Sequence, residues 1–151
     1  MKKITVFILS ILATASTAFA LSFHSTDDDR PITYDQLPAA AKEFIKDNFG
    51  KEQVSLTSLD SDLIGDEYTV VFTSGTKLEF YSDGNWKEVD CRYSEVPHNL
   101  IPDKIADYLK ANYADSKVRE IKRGRGGYEV KLNNGLELTF DRDYRLVEID
   151  D

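Results

Sequence analysis

Hydrophobic and polar residues alternate over two stretches of the chain, residues 68–90 and 128–150. Alternation with a period of two is typical of antiparallel strands that bury one face and expose the other. We therefore predict strands whose buried face carries Tyr68, Val70, Phe72, Leu78, Phe80 and Val89 in the first stretch, and Tyr128, Val130, Leu132, Leu136, Leu138 and Phe140 in the second.

Short turn sequences separate these strands. Residues 73–76 read TSGT, residues 82–85 read SDGN and residues 133–136 read NNGL. Asn-Gly and Asp-Gly pairs readily adopt the positive φ angles that tight hairpin turns require. The strands are therefore expected to pair with their neighbours along the chain.

A different spacing precedes each group of strands. In LPAAAKEFIKDNF (residues 37–49) and IPDKIADYLKANY (residues 101–113), apolar residues recur every three or four positions. This spacing predicts amphipathic helices, each with one apolar face for a core. Pro38 and Pro102 suit a first helical turn, where a missing N–H group does no harm.

The two halves of the chain resemble each other. Residues 73–91 and 133–151 share six identities in nineteen aligned positions, which indicates a duplicated unit. A unit of about sixty residues buries too little surface to be comfortably stable alone. The prediction is an α+β fold in which two tandem helix-plus-hairpin repeats share one sheet of about eight strands, with both helices on one face.

The N-terminus has the pattern of a secretory signal peptide. Lys2 and Lys3 precede a short apolar run, and small residues lead to an A-x-A site that predicts cleavage after Ala20. The predicted organisation is a signal peptide (1–20), an acidic linker (21–31), a first repeat (32–91) and a second repeat (92–151). We expect a periplasmic or secreted protein without stable membrane insertion after cleavage.

Charge narrows the classes of partner. Without residues 1–20 the chain carries 17 bases and 27 acids, a formal charge of −10. This balance argues against nucleic acid as a partner. The only cysteine, Cys91, cannot form a disulfide within the chain; it either packs in the core or couples two chains.

Catalytic and metal-binding patterns are weak. The two histidines, His24 and His98, lie in the acidic tail and in the connection before the second helix, and no nucleophile is spaced to use them. Residues 60–67, DSDLIGDE, begin like a calcium loop, but Ile64 stands where an oxygen ligand is required. We predict no catalytic residues, no metal site and no cofactor.

Alternation also predicts which side chains face away from the helices. On that open sheet face we expect Val71, Tyr81 and Trp86 from the first half and Leu146 from the second, all as partner-binding residues, with Tyr81 and Trp86 as the anchors. Arg119, Arg123 and Arg125, from the basic stretch 117–125, would help to orient this partner. The alternatives are that Trp86 covers a sheet edge or the gap between the repeats, and that the basic stretch is a solvated edge strand.

The chain resembles the PepSY-like family of exported bacterial proteins, also described as β-lactamase-inhibitor-like. The resemblance spans roughly residues 32–151 and rests on Leu37-Pro38, Tyr68, Gly75, Leu78, Phe80, Asp83-Gly84 and Trp86, with Ile101-Pro102, Tyr128, Gly135, Leu138, Phe140 and Asp143. The second set departs at Tyr144 and Leu146, where the first has glycine and tryptophan. The resemblance implies an eight-stranded sheet with a concave open face. It transfers no inhibitory residue.

The function predicted is an exported, non-enzymatic protein-binding module. Its target would be an envelope enzyme, a peptidase or a β-lactamase, inhibited by docking of the open face. The alternative is an envelope protein that binds a small ligand or a metal, through the acidic loops or the cleft between repeats.

Overall fold

The computed structural model describes residues 30–61 and 65–151. Within these ranges the chain forms nine strands, two α-helices and two 3-10 turns. The helices are α1 (Ala39–Phe49) and α2 (Asp103–Asn112). The strands are β1 (Arg30–Pro31), β2 (Val54–Ser61), β3 (Asp66–Phe72), β4 (Lys77–Tyr81), β5 (Trp86–Asp90), β6 (Val118–Gly124), β7 (Gly127–Leu132), β8 (Glu137–Asp141) and β9 (Leu146–Asp150).

All nine strands described lie in one antiparallel sheet in the order of the sequence, β1 to β9. The prediction of two tandem helix-plus-hairpin repeats sharing about eight strands is wrong. Strand β5 pairs directly with β6, so one uninterrupted sheet dominates the fold and the two helices are short. The term α+β remains a fair description of the content, but the architectural unit is the sheet.

The strand beyond the eight predicted is β1, which lies in the segment predicted as an acidic linker. Arg30 and Pro31 of β1 pair with Leu59 and Ser58 of β2 at one edge of the sheet. Proline is tolerated there because an edge strand does not need all of its N–H groups. The predicted signal peptide, residues 1–20, lies outside the described residues. No helix in the described ranges is long and apolar enough to cross a membrane.

One face of the sheet is apolar from β3 to β9. The central row of paired residues on this face is Val70, Leu78, Val89, Ile121, Val130, Leu138 and Ile149. The helices pack on this face through Ala41 and Ile45 of α1 and Ile105 of α2, all buried. Burial of the apolar row against the helices supplies the hydrophobic stabilisation of the fold, and the opposite face stays uncovered by any described helix.

Four register shifts interrupt the strand pairing described, and two of them, in β5 and β9, change the predicted faces. In β5, Glu88 pairs with Glu79 and Trp86 with Phe80, so Lys87 is an extra residue. In β9, Glu148 pairs with Thr139 and Leu146 with Phe140, so Val147 is extra. An extra residue in one strand reverses the faces of the side chains on its far side. The bulges therefore decide where Trp86 and Leu146 point.

Candidate functional site

The open face of the sheet carries mostly charged side chains. Two adjacent rows cross it from β3 to β9. One comprises Thr69, Glu79, Glu88, Lys122, Glu129, Thr139 and Glu148, and the other comprises Val71, Lys77, Asp90, Glu120, Lys131, Glu137 and Asp150. These rows hold eight carboxylates and three lysines, so the face is strongly acidic.

Lysines join the acidic side chains into a network. The ammonium group of Lys77 lies 2.9 Å from Glu79 and 3.0 Å from Glu88. Lys122 lies 2.8 Å from Glu120 and 3.7 Å from Glu88. The network neutralises the centre of the face and holds these side chains in place, while carboxylates toward β9 remain exposed.

Glu88 is the most buried charged residue of this face, with 7% of its surface exposed. Desolvation raises the pKa of Glu88, although the hydrogen bond from Lys77 acts in the opposite direction. Burial lowers the pKa of Lys77, but its hydrogen bonds to Glu79 and Glu88 outweigh this effect and the net pKa is raised. The pKa of Glu88, which is the more buried partner, therefore stays raised despite its ion pair with Lys77.

Two of the four side chains predicted for the open face, Val71 and Tyr81, lie there. Val71 pairs with Lys77 and with Leu56, whose exposure of 47% makes an apolar patch near the β1 edge. Tyr81 pairs with Glu67, and its hydroxyl donates a 2.7 Å hydrogen bond to the carbonyl of Arg123. The half-buried Tyr81 ring is thus fixed across the end of β5.

The predicted placement of Trp86 and Leu146 is wrong, because both face the helices. Trp86 stacks on Phe44 of α1 with ring centroids 6.2 Å apart, and Leu146 packs against the core. Strict alternation counted back from Val89 and Glu148 assigned both residues to the open face, and the extra residues Lys87 and Val147 shift them by one position. Their contacts are structural, and the partner-binding hypothesis now rests on the other residues.

The arginines of the basic stretch do not form one patch. Arg123 lies on the helix side, with its guanidinium 4.3 Å from the centroid of the Trp86 ring and its Nε donating to the Trp86 carbonyl at 2.6 Å. Arg119 donates to the carbonyl of Ser94. Arg125 is exposed in the turn between β6 and β7. These positions leave Arg125 as the predicted arginine that is free to meet a partner.

Sequence reasoning missed a concave site on the open face. We call it the glycine notch: Gly124, Gly126 and Gly127 line one side, and Tyr81, Lys87 and Lys122 line the other. Its volume is about 290 Å³, with Glu129 and Thr139 also in its lining. The run GRGG at residues 124–127 was the available signal, since three glycines in a hairpin leave backbone where side chains would stand.

The other residues considered for catalysis or metal binding do not come together where the structure describes them. His98 begins a 3-10 turn beside a groove of about 570 Å³ along α2, and His24 lies outside the described residues. Cys91 is buried, and burial raises the pKa of its thiol to about 11. Within the described ranges, no group of three or more His, Cys, Asp or Glu residues could hold a metal ion.

The chain is similar to three crystal structures of periplasmic proteins from Bacteroides. A DUF2874 protein from Bacteroides vulgatus is 44% identical, with a TM-score of 0.80 and coverage of 83% of this chain and 98% of that one. A "putative calcium-regulated periplasmic protein" from Bacteroides thetaiotaomicron is 45% identical, with a TM-score of 0.81 and coverage of 83% and 99%. A second Bacteroides vulgatus protein, described as being of unknown function, is 38% identical, with a TM-score of 0.78 and coverage of 82% and 99%.

No functionally curated protein is detectably similar to the chain. The periplasmic relatives indicate an exported protein. Residues 66–148 match the family described as "Putative beta-lactamase-inhibitor-like, PepSY-like", which confirms the resemblance seen in the sequence. The chain belongs to the PepSY-like family.

Proposed function

We propose that the chain is a non-enzymatic protein-binding module that docks an exported partner on the open face of its sheet. The observation that carries this proposal is the sheet itself: it buries one face under two helices and leaves a broad, ordered face uncovered. A face of this kind, with partly apolar positions among fixed charges, suits a protein interface better than a small-molecule site.

The negative charge of the open face favours a partner with a basic surface. Its two rows carry eight carboxylates against three lysines, so the complementary surface is basic. This revises the expectation that the arginines of the chain would orient the partner, because Arg119 and Arg123 are engaged with Ser94 and Trp86. Electrostatic steering by such a face accelerates association most at low salt.

The description of the family as β-lactamase-inhibitor-like favours a β-lactamase as the partner, and a peptidase is the other envelope enzyme predicted from the sequence. Inhibition would be steric, because a docked sheet covers the partner's surface without chemistry of its own. The lack of an assembled catalytic group among the residues described is compatible with this role.

Site-directed photo-cross-linking in bacteria that export the chain tests the proposal. A photoreactive amino acid at Thr69, on strand β3 of the open face, is expected to give an adduct with one exported protein. The same amino acid at Ala111, which is exposed on α2, is the matched control. The purified partner should then bind the chain, and Glu129→Lys with Glu148→Lys should weaken that binding. Adducts from position 111 alone would contradict docking on the open face.

Calcium binding is a second candidate, favoured by the description of the Bacteroides thetaiotaomicron relative as calcium-regulated. The sequence around the β2–β3 connection is acidic, and Asp66, the first residue of β3, accepts a 2.7 Å hydrogen bond from Ser61. Calorimetric titration with calcium separates the two functions. A docking module gives no saturable heat, whereas a calcium protein gives a heat that Asp66→Asn reduces.

A further inference from the structure

The glycine notch lies within the acidic open face. Tyr81, Lys87 and Lys122 bound it on one side, and the hairpin from Gly124 to Gly127 bounds it on the other. Its volume of about 290 Å³ is at the lower limit for small-molecule pockets, roughly 300–1,000 Å³. This size suits one large side chain better than a cofactor.

At two of the glycines in the notch, the backbone could carry a side chain without strain or contact. A Cβ atom added at Gly124 or Gly126 would meet nothing within 4 Å, and neither residue has a positive φ. Gly127 differs, because its φ is +135° and an added Cβ would lie 2.0 Å from the carbonyl oxygen of Phe140. The fold needs Gly127, whereas Gly124 and Gly126 keep the notch open.

The walls of the notch are held in place before any partner arrives. The Tyr81 hydroxyl bonds the Arg123 carbonyl at 2.7 Å. Lys87 is paired with Glu67, and Lys122 is paired with Glu120. Since the ammonium groups are engaged, the lysine stems and the tyrosine ring present apolar surface. Fixed walls reduce the entropy lost on binding.

We propose that the glycine notch receives one aromatic side chain from a basic segment of the partner. The aromatic ring would pack against Tyr81 over the glycine backbone, and flanking lysines or arginines would meet carboxylates such as Glu129 and Glu148. This inference deepens the proposed function and rests on it, because the notch opens on the same docking face.

Three synthetic peptides labelled with fluorescein test the inference by fluorescence anisotropy with the purified chain. They are GKRWRKG, its alanine counterpart GKRARKG and the acidic GEDWDEG. We expect GKRWRKG to bind roughly tenfold or more tightly than GKRARKG, and GEDWDEG to show no binding. In amide NMR spectra, the Gly124 and Gly127 signals should shift with GKRWRKG.

Variants that fill the notch provide the decisive test of the inference. Gly124→Leu places a side chain in the open space and is expected to abolish the preference for GKRWRKG over GKRARKG. Ala111→Leu adds the same bulk on the exposed side of α2 and should leave the preference unchanged. Unfolding curves for both variants establish that each is folded, and Gly126→Leu serves as a second notch variant.

The outcomes separate the two proposals. Equal binding of both basic peptides, with shifts spread over the open face, overturns the notch and leaves docking intact. Equal or tighter binding of GEDWDEG overturns the basic partner. If no peptide binds while an exported partner cross-links through position 69, the notch inference is again rejected but the docking module stands.

Discussion

The guanidinium carbon of Arg123 lies 4.3 Å from the centroid of the Trp86 ring, on the helix side of the sheet. The Arg123 Nε also donates to the Trp86 carbonyl, and the Arg123 carbonyl accepts from Tyr81. Arg123 thus links β4, β5 and β6 at one end of the sheet. Because β5 and β6 join the two halves of the chain, this contact supports the continuity of the sheet.

Truncating this pair should reduce stability. We expect Trp86→Ala to cost about 3 kcal/mol of unfolding free energy, since a packed aromatic side chain is lost. Arg123→Ala should cost about 1 kcal/mol through the cation–π contact. Urea unfolding of both single variants and the double variant measures their coupling. Additive effects, with no coupling between the two positions, would contradict the link.

Substitution by alanine should distinguish a glycine that the fold requires from one that it does not require. Gly127→Ala forces a Cβ toward the Phe140 carbonyl and occupies a positive φ, so we expect a loss of at least about 3 kcal/mol. Gly124→Ala meets open space and should change stability by no more than about 0.5 kcal/mol. Chemical denaturation compares them, and similar losses at both positions would reject the distinction.

Glu88 should make the unfolding free energy of the protein depend on pH. Desolvation raises its pKa in the folded state above the ordinary value of 4.5. As pH rises through and above 4.5, the unfolded chain therefore loses this proton first, and the folded state loses stability. Glu88→Gln should remove this contribution, so the variant gains stability relative to the parent as pH rises. Urea unfolding at several pH values tests this, with the more exposed Glu137→Gln as the control. A constant difference across pH would contradict it.

Cys91 should be inert in the folded protein. Burial raises the pKa of its thiol from 9.0 to about 11, which reduces the thiolate fraction at neutral pH roughly a hundredfold. Reaction with a thiol-specific disulfide reagent should be slow until the chain is unfolded by urea. Between pH 9.0 and about 11 the unfolded thiol ionises first, so stability should fall with rising pH, and Cys91→Ser should lack this decline. Rapid labelling of the folded chain would show that the thiol is accessible.

Hairpins and core residues were predictable because they depend on neighbours in sequence. Leu78 and Val89 each lie between two charged residues, and the structure buries both. The tandem-repeat architecture was predicted wrongly, since similar hairpins do not reveal that β5 and β6 pair across the presumed boundary. The side of the sheet on which Trp86 lies could not be predicted either, because a bulge at Lys87 leaves the composition of the strand unchanged.

The hairpins, the apolar face and the excess of acidic residues follow from the sequence, because local spacing and charge are properties of the chain. The remaining features depend on how the strands pack together. The paired strands gather carboxylates from β4 to β9 into one acidic face, although these residues are far apart in sequence. The β6–β7 hairpin places its glycines opposite Tyr81 and so forms the notch. Both features arise from strand register, which depends on the packing of the whole sheet rather than on any single segment.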